Sequence, residues 1–343
     1  MWRYSGPFLF LGSIPLLHTW SPTAPLLTIA LLLAALIGAE FITSSRTLRR
    51  RPATSTRFRW LPILYAGAQI AVTAWAILAV ANPRSTPLEF LTLLFSVGII
   101  SGVFGMLTAH ELIHSHSAHE RFIGTAMLTA MMYGQFRISH IYGHHRWAAT
   151  ARDSSTAWRG ESFYSFLLRT VPAQFEDAWR FEHGRCRSRG LPWHHNRIYL
   201  DLVITLGLCA LTLVLAGPIG LFFFILQGAI AIIVLELFNY IAHYGLMRRV
   251  ANQRFEPLGD HHSWNSSNAL ANLVIFNMGR HSDHHRHPAR SYEQLAAIDR
   301  APELPAGYAG SILLALAPPL WHRLMDAKLD SLAEGAARAK AAA

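Results

Sequence analysis

Uninterrupted apolar runs alternate with polar stretches along the chain as far as Tyr240, and most runs are about as long as a helix that crosses a bilayer. Such a helix needs about 20 predominantly apolar residues. The runs fall at 7–20, 24–42, 61–81, 88–109, 198–216 and 218–240. Pro83, Pro87 and the Gly217-Pro218 pair mark turns between them. The first run is short and has one Arg before it, as a secretory leader would. A second apolar run follows almost at once, with no clear small-residue cleavage site between, which argues for a retained span. The pattern predicts an all-α fold: a six-helix transmembrane bundle with a polar helical cap. No long repeat or low-complexity linker divides the chain, so 1–343 is read as one integral-membrane domain, ending in an Ala-rich, fraying helix from Ala333.

Composition supports this reading. Only 15% of the residues are charged and 52% are hydrophobic, whereas soluble domains carry about 25% charged residues. The formal charge of +10 raises the question of nucleic acid, but its distribution answers it. With the N-terminus inside, the segments 1–6, 43–60, 110–197 and 241–343 hold 29 of the 30 Lys and Arg, and the outer loops keep only Arg84. Cytoplasmic loops carry the Lys/Arg excess, so the basic residues report orientation and no nucleic-acid partner is expected. Of the 19 histidines, 18 lie at or after His110 and therefore fall on the cytoplasmic side, within 110–197 and 241–343.

These histidines cluster. His110 and His114 are four apart, which places both on one helix face. The second cluster is His140, His144 and His145, and the third is His281, His284 and His285. On α-helical geometry His140 aligns with His144, and the adjacent ring points about 100° away, so neighbouring imidazoles can serve two metals or two sides of one. His243 is a ninth candidate, where the last span leaves the membrane. The His-Glu-Leu-Ile-His run also matches a zinc-protease pattern, but the other clusters argue against it. His18, His116, His119, His183, His194, His195 and His322 lack companions at ligand spacing, and His261, His262 and His287 are ambiguous.

Nine imidazoles exceed what one ion can hold, which argues for two metals. Imidazole suits Zn, Cu, Fe and Ni alike. Cys186 and Cys209 share no ligand spacing, which argues against structural zinc, an iron–sulfur cluster or a disulfide framework. An oxygen-activating iron pair is the favoured chemistry, with copper the alternative.

The motifs resemble those of the integral-membrane alkane 1-monooxygenases (alkane hydroxylases) of the membrane desaturase–hydroxylase superfamily. The likeness runs through His110-Glu-Leu-Ile-His114, Gly143-His-His-Arg146, Ala149-Thr150, Asp153 and Gly160-Glu161. It continues at Asn239-Tyr240, His243-Tyr-Gly-Leu246, His261-His-Ser-Trp-Asn-Ser266, Asn272-Leu273, Arg280-His-Ser-Asp-His-His285 and His287-Pro288. Three residues precede the His pair of the second box, where acyl desaturases usually have two. The resemblance implies two non-haem irons held by His110, His114, His140, His144, His145, His243, His281, His284 and His285. It also implies a bacterial inner (plasma) membrane location, and electrons from a separate rubredoxin- or ferredoxin-type carrier and its reductase, since the chain has no Cys-x-x-Cys.

Two positions depart from the family. Ser139 and Ala242 stand where glutamates are common, which leaves aryl-methyl and fatty-acid substrates open. Three further polar residues are candidates for supporting the ligands: Asp283 inside the third box, Glu236 inside the last span, and Asn239 one turn before His243. Glu40 reads as an interfacial anchor, and Gly98, Gly102 and Gly105 as a stripe for close packing or for a channel. The expected activity is hydroxylation of the terminal carbon of an apolar chain drawn from membrane lipid surroundings, alkane to 1-alkanol, with O₂ and two electrons. The alternatives are an aryl-methyl monooxygenase, a desaturase or a decarboxylase; a non-enzymatic metal transporter fits less well, because the spans carry mainly Glu236 as an ionisable group.

Overall fold

The structure, a computed structural model, describes residues 4–42 and 58–341. Most of the basic loop expected at 43–60 lies outside the described residues. Every predicted span lies on a helix: Gly6–Trp20, Leu26–Ile42, Leu61–Val80, Pro87–Ile113 or Arg197–His243. Of these, Leu61–Val80, Pro87–Ile113 and Arg197–His243 are long and apolar enough to cross a membrane, and Leu26–Glu40 is a shorter apolar helix.

The last two spans were expected to be separated by a turn, and the turn is a single residue. Gly217 adopts φ 64 and ψ −170, in the left-handed range that favours glycine. Pro218 then opens the next segment, where its missing N–H costs nothing. Two helical segments, 197–216 and 218–243, result.

The Pro87–Ile113 helix begins at a capping box: the Thr86 hydroxyl accepts from the Glu89 N–H at 3.2 Å while Glu89 Oε2 accepts from the Thr86 N–H at 3.4 Å. It continues through a π-helical turn, Ser101–Gly105, and so carries the first histidine cluster beyond the predicted end at 109. A Cβ on Gly98 would stand 2.8 Å from Ile230 Cβ, and one on Gly102 would stand 2.5 Å from Val234 Cβ. Gly98 and Gly102 therefore serve close packing against the 218–243 segment, whereas Gly105 faces Met131 and Gln69.

The two ends of the bundle differ. At one, His18 Nε2 meets Glu89 Oε1 at 2.8 Å, and the Thr92 hydroxyl donates to the Pro22 carbonyl. At the other, Tyr4 and Tyr292 pack edge to face at 4.9 Å, and the Asn268 amide donates to the Ala39 carbonyl at 2.9 Å. Glu40 is here, accepting from the Ser266 hydroxyl at 3.2 Å and lying against Gly307, so it ties two elements together. The helices Phe163–Ser188, His281–Arg286, Gly307–Ala315 and Pro318–Ala341 gather at this end. One antiparallel hairpin amends the all-α expectation: Val250–Ala251 pairs with Arg254–Phe255, turning through Asn252 and Gln253 at φ 51 and 58.

Candidate metal centre

The nine clustered histidines converge and sort into two groups. His110, His114, His140, His145 and His284 form one, and His144, His243, His281 and His285 the other, with the ligand atoms of each group within 4.8 Å of one another. Each box contributes as its local helix dictates. His281 and His285, one α-helical turn apart, share a group, while His284 points to the other.

The second box departs from the sequence expectation that His140 aligns with His144. Ser139–His144 is π-helical, and the wider turn, with hydrogen bonds from i to i+5, brings His140 onto the same face as His145. Their Nε2 atoms are 3.0 Å apart, and His144 joins the second group instead. The cluster thus straddles both sites.

The donor set fits metal ions. In the first group, His140 Nε2 faces His110 Nε2 at 2.8 Å, His145 Nε2 at 3.0 Å and His114 Nε2 at 3.1 Å. A single ring nitrogen carries at most one proton, so hydrogen bonds among the rings cannot satisfy all these approaches. A first-row metal holds imidazole nitrogen at about 2.0–2.1 Å, which places ligands at right angles about 3 Å apart. In the second group His243, His281 and His285 approach one another through Nε2 at 3.1–3.2 Å. The Nε2 of His144 is buried with no hydrogen-bond partner.

Six of the rings are held neutral, as ligands must be. Burial, aided by the neighbouring His144, pushes His114 down to about 3. Burial, followed by the surrounding histidines, likewise lowers His140, His145, His281, His284 and His285 well below the ordinary range.

Asp153, outside the set of supporting residues expected from the sequence, orients one ring. Its Oδ2 lies 2.8 Å from His144 Nδ1 and also accepts from the Thr156 hydroxyl at 2.7 Å. Although burial opposes ionisation, the His144 and Thr156 contacts keep the Asp153 carboxyl below its usual range. The His262 carbonyl lies 3.3 Å from His243 Nδ1, so His262 contributes its backbone. Its own ring accepts from the Gly259 N–H at 2.8 Å and meets Glu256 at 3.2 Å. Glu256, His261 and His262 form a further group able to hold an ion, but the His262 ring is already spent in these ordinary hydrogen bonds.

The expected supporting residues are placed differently from the expectation. Asp283 bonds to Arg290, His287 Nδ1 and the Ala296 N–H, fixing the following loop rather than one of the nine rings. Asn239 donates to Glu236 Oε2 at 3.1 Å within its own helix, not to His243. Glu236, fully buried, accepts through Oε1 from Tyr133 at 2.8 Å and Gln174 at 2.9 Å. Glu111 of the first box accepts from the Tyr292 N–H at 3.1 Å, in a structural contact. Among the histidines set aside, His116, His119, His183, His194 and His195 are exposed, and His18 and His322 make single polar contacts elsewhere.

A cavity borders the rings, and another lies among the apolar helices. A small one, about 30 Å³, is bounded by rings from both groups, His110, His140 and His281, together with Asn239, Ala242 and Phe238. A larger one, about 270 Å³, lies among Ile70, Ile77, Met131, Leu208, Leu215 and Gln227 in the apolar helices.

The sequence pattern of the fatty acid desaturase family matches residues 84–312, a stretch holding all nine histidines. Alkane 1-monooxygenase 2 of Pseudomonas aeruginosa is 41% identical over 246 residues, 71% of this chain and 65% of its own length. An alkane 1-monooxygenase of Pseudomonas putida is 36% identical over 335 residues, 95% of this chain and 80% of its own. The hydroxylase component of a xylene/toluene monooxygenase of Pseudomonas putida is 31% identical over 280 residues, 80% of this chain and 73% of its own. The chain spans just under two thirds of the length of the Pseudomonas aeruginosa relative. With its long apolar helices and its two histidine groups able to hold metal, the chain belongs to the fatty acid desaturase family, and has alkane 1-monooxygenases among its relatives.

Proposed function

We propose that the chain is a membrane non-haem di-iron monooxygenase that hydroxylates the terminal carbon of a hydrocarbon, alkane to 1-alkanol. The observation that carries this reading is the sorting of nine buried or half-buried histidines into two adjacent nitrogen-only groups beside an apolar wall. His110, His114, His140, His145 and His284 would hold one iron, and His144, His243, His281 and His285 the other. When bound, the metal pair supplies the oxygen chemistry: O₂ is activated with two electrons, one oxygen atom entering the hydrocarbon and the other leaving as water.

The chain's own residues do the positioning. Asp153 fixes the His144 ring so that Nε2 presents its lone pair, and the His262 carbonyl does the same for His243. Phe136 stacks on His140 with ring centroids 4.8 Å apart. Leu107, Leu235, Phe238 and Met278 give the small cavity a dry wall against which a C–H bond can lie. In this reading all six predicted spans cross the membrane, and the site faces the cytoplasm of a bacterial inner membrane. Electrons come from a separate rubredoxin- or ferredoxin-type protein and its reductase. The hydrocarbon enters from the bilayer and meets the site end-on.

Ala242 favours a second reading. A methyl group lines the small cavity where many relatives place a carboxylate, which leaves room for an aryl-methyl substrate. The test is product analysis by mass spectrometry from cells expressing the chain and fed alkanes, fatty acids and alkylbenzenes together. 1-Alkanols support the proposal, benzylic alcohols alone favour the second reading, and new alkenes alone refute both.

A further inference from the structure

A pocket of about 490 Å³ opens where the Phe163–Ser188 helix ends and the Arg197–His243 helix begins, lined by Arg146, Arg185, Arg189, Arg197, Glu182 and Tyr142. Four guanidinium groups face one carboxylate. Glu182 is buried and is already committed: it accepts from Arg185 at 2.8 Å, from the Arg197 N–H at 3.0 Å and from the Arg197 guanidinium. Burial alone would raise its pKa, but the two arginines hold it at about 2. The clamp fixes Arg185 and Arg197 in place, yet leaves Arg197 Nε buried without an acceptor.

Arg146 and Arg189 have no acidic partner among the described residues. The Arg146 guanidinium lies over the Trp147 ring at 4.9 Å, and Arg189 is exposed. The pocket therefore has surplus positive charge and a buried donor that lacks an acceptor.

Its position says which anion. Arg197 is the first residue of an apolar helix, and Leu200, Val203 and Leu206 along the same helix are 60%, 65% and 67% exposed. Such an outward apolar stripe is suited to acyl chains. Beside it, Trp193 is 68% exposed and packs edge to face on Tyr199 at 5.1 Å, as aromatic residues do at the headgroup level. A concave basic site bordering a lipid-facing stripe fits one phosphodiester headgroup with its chains running down the helix. A protein electron carrier would need a broad water-facing surface instead.

We infer that this pocket binds the phosphodiester headgroup of an anionic membrane phospholipid. Arg146, Arg189 and Arg197 Nε would donate to the phosphate oxygens, and Leu200, Val203 and Leu206 would seat the acyl chains. The lipid would pin the start of the last pair of helical segments to the polypeptide that carries the second histidine box.

The test uses the full chain in nanodiscs containing equal phosphatidylglycerol and phosphatidylcholine, released gently and weighed by native mass spectrometry. Wild type should retain one phosphatidylglycerol in preference to phosphatidylcholine. The Arg146→Gln/Arg189→Gln variant should lose that preference about thirtyfold, as expected for two cationic contacts to an anionic lipid. Arg189→Glu, a change at an exposed residue, is the second variant should the double one fail to fold, and must also weaken retention. Equal retention of both lipids by wild type would overturn the proposal. So would retention unchanged in Arg189→Glu, displacement of the lipid by millimolar inorganic phosphate, or an arginine-dependent affinity for an acidic protein with no lipid preference.

Discussion

Asp153 Oδ2 lies 2.8 Å from His144 Nδ1, and the opposite nitrogen of that ring is buried without a partner among the described residues. A proton on Nδ1 is held by this carboxylate, an arrangement that leaves Nε2 free to offer its lone pair to a metal. That lone pair faces a site shared with His243 and His285, whose ring centroids are 4.7 and 4.9 Å from that of His144.

Replacing Asp153 should therefore loosen metal without removing a ligand. Asp153→Ala is expected to lower metal affinity by about 10–100-fold, read by competition with a chelator. Asp153→Asn, which keeps the shape but loses the charge, should fall between. Metal retention equal to wild type in Asp153→Ala would show that His144 needs no such support.

Much of this site was legible in the sequence, and the exceptions have physical causes. The pair His110 and His114 is readable because an α-helix puts i and i+4 on one face. The partner of His140 is not readable, because nothing in Ser-His-Ile-Tyr-Gly-His announces a π-helical turn, and α-periodicity assigns His144 where the structure places His145. Asp153 stood among the resembling residues, but its contact with His144 depends on a loop fold that periodicity does not describe. Glu236 and Asn239 stood out as polar residues in an apolar helix, but they bond to each other rather than to a ligand ring, and the other partners of Glu236, Tyr133 and Gln174, come from elements far away in sequence. The apolar helices were legible because a long apolar run is a nearly local signal, and the one-residue break at 217 was legible from the Gly217-Pro218 pair.

The two groups predict separable losses. His145→Ala and His285→Ala remove one nitrogen each from different groups. With iron bound, Mössbauer spectra of the two variants should diminish different components of the wild-type signal. The same component lost in both would mean that the groups are not independent sites.

Glu236 accepts hydrogen bonds from Tyr133, Gln174 and Asn239 in a fully buried setting. Glu236→Leu strands these donors, each at a cost of about 1–3 kcal/mol, and should sharply lower the thermal unfolding midpoint in detergent. Glu236→Gln keeps a hydrogen-bonding oxygen and should cost less. A leucine variant as stable as wild type would show that the network contributes nothing.

The metal-free chain should be acid-sensitive in a defined window. His114 is held down to about 3, against an ordinary value of 6.5. The unfolded chain therefore takes up this proton first, and stability is complete above about pH 6.5 and erodes as pH falls towards about 3. Denaturant unfolding of metal-free protein across this range should show the slope, and His114→Phe should flatten part of it. A pH-independent midpoint would contradict the neutral, buried ring.

Isotope labelling gives a direct test of terminal oxygen insertion. The iron-loaded protein in lipid, with an electron donor, is given a medium-length n-alkane under ¹⁸O₂, and the products are resolved by mass spectrometry. A primary alcohol carrying one ¹⁸O atom is expected, because an end-on chain meets the two histidine groups with its terminal carbon. Secondary alcohols as the main product, an unlabelled alkene, or labelled benzylic alcohol from toluene with the alkane untouched would contradict it.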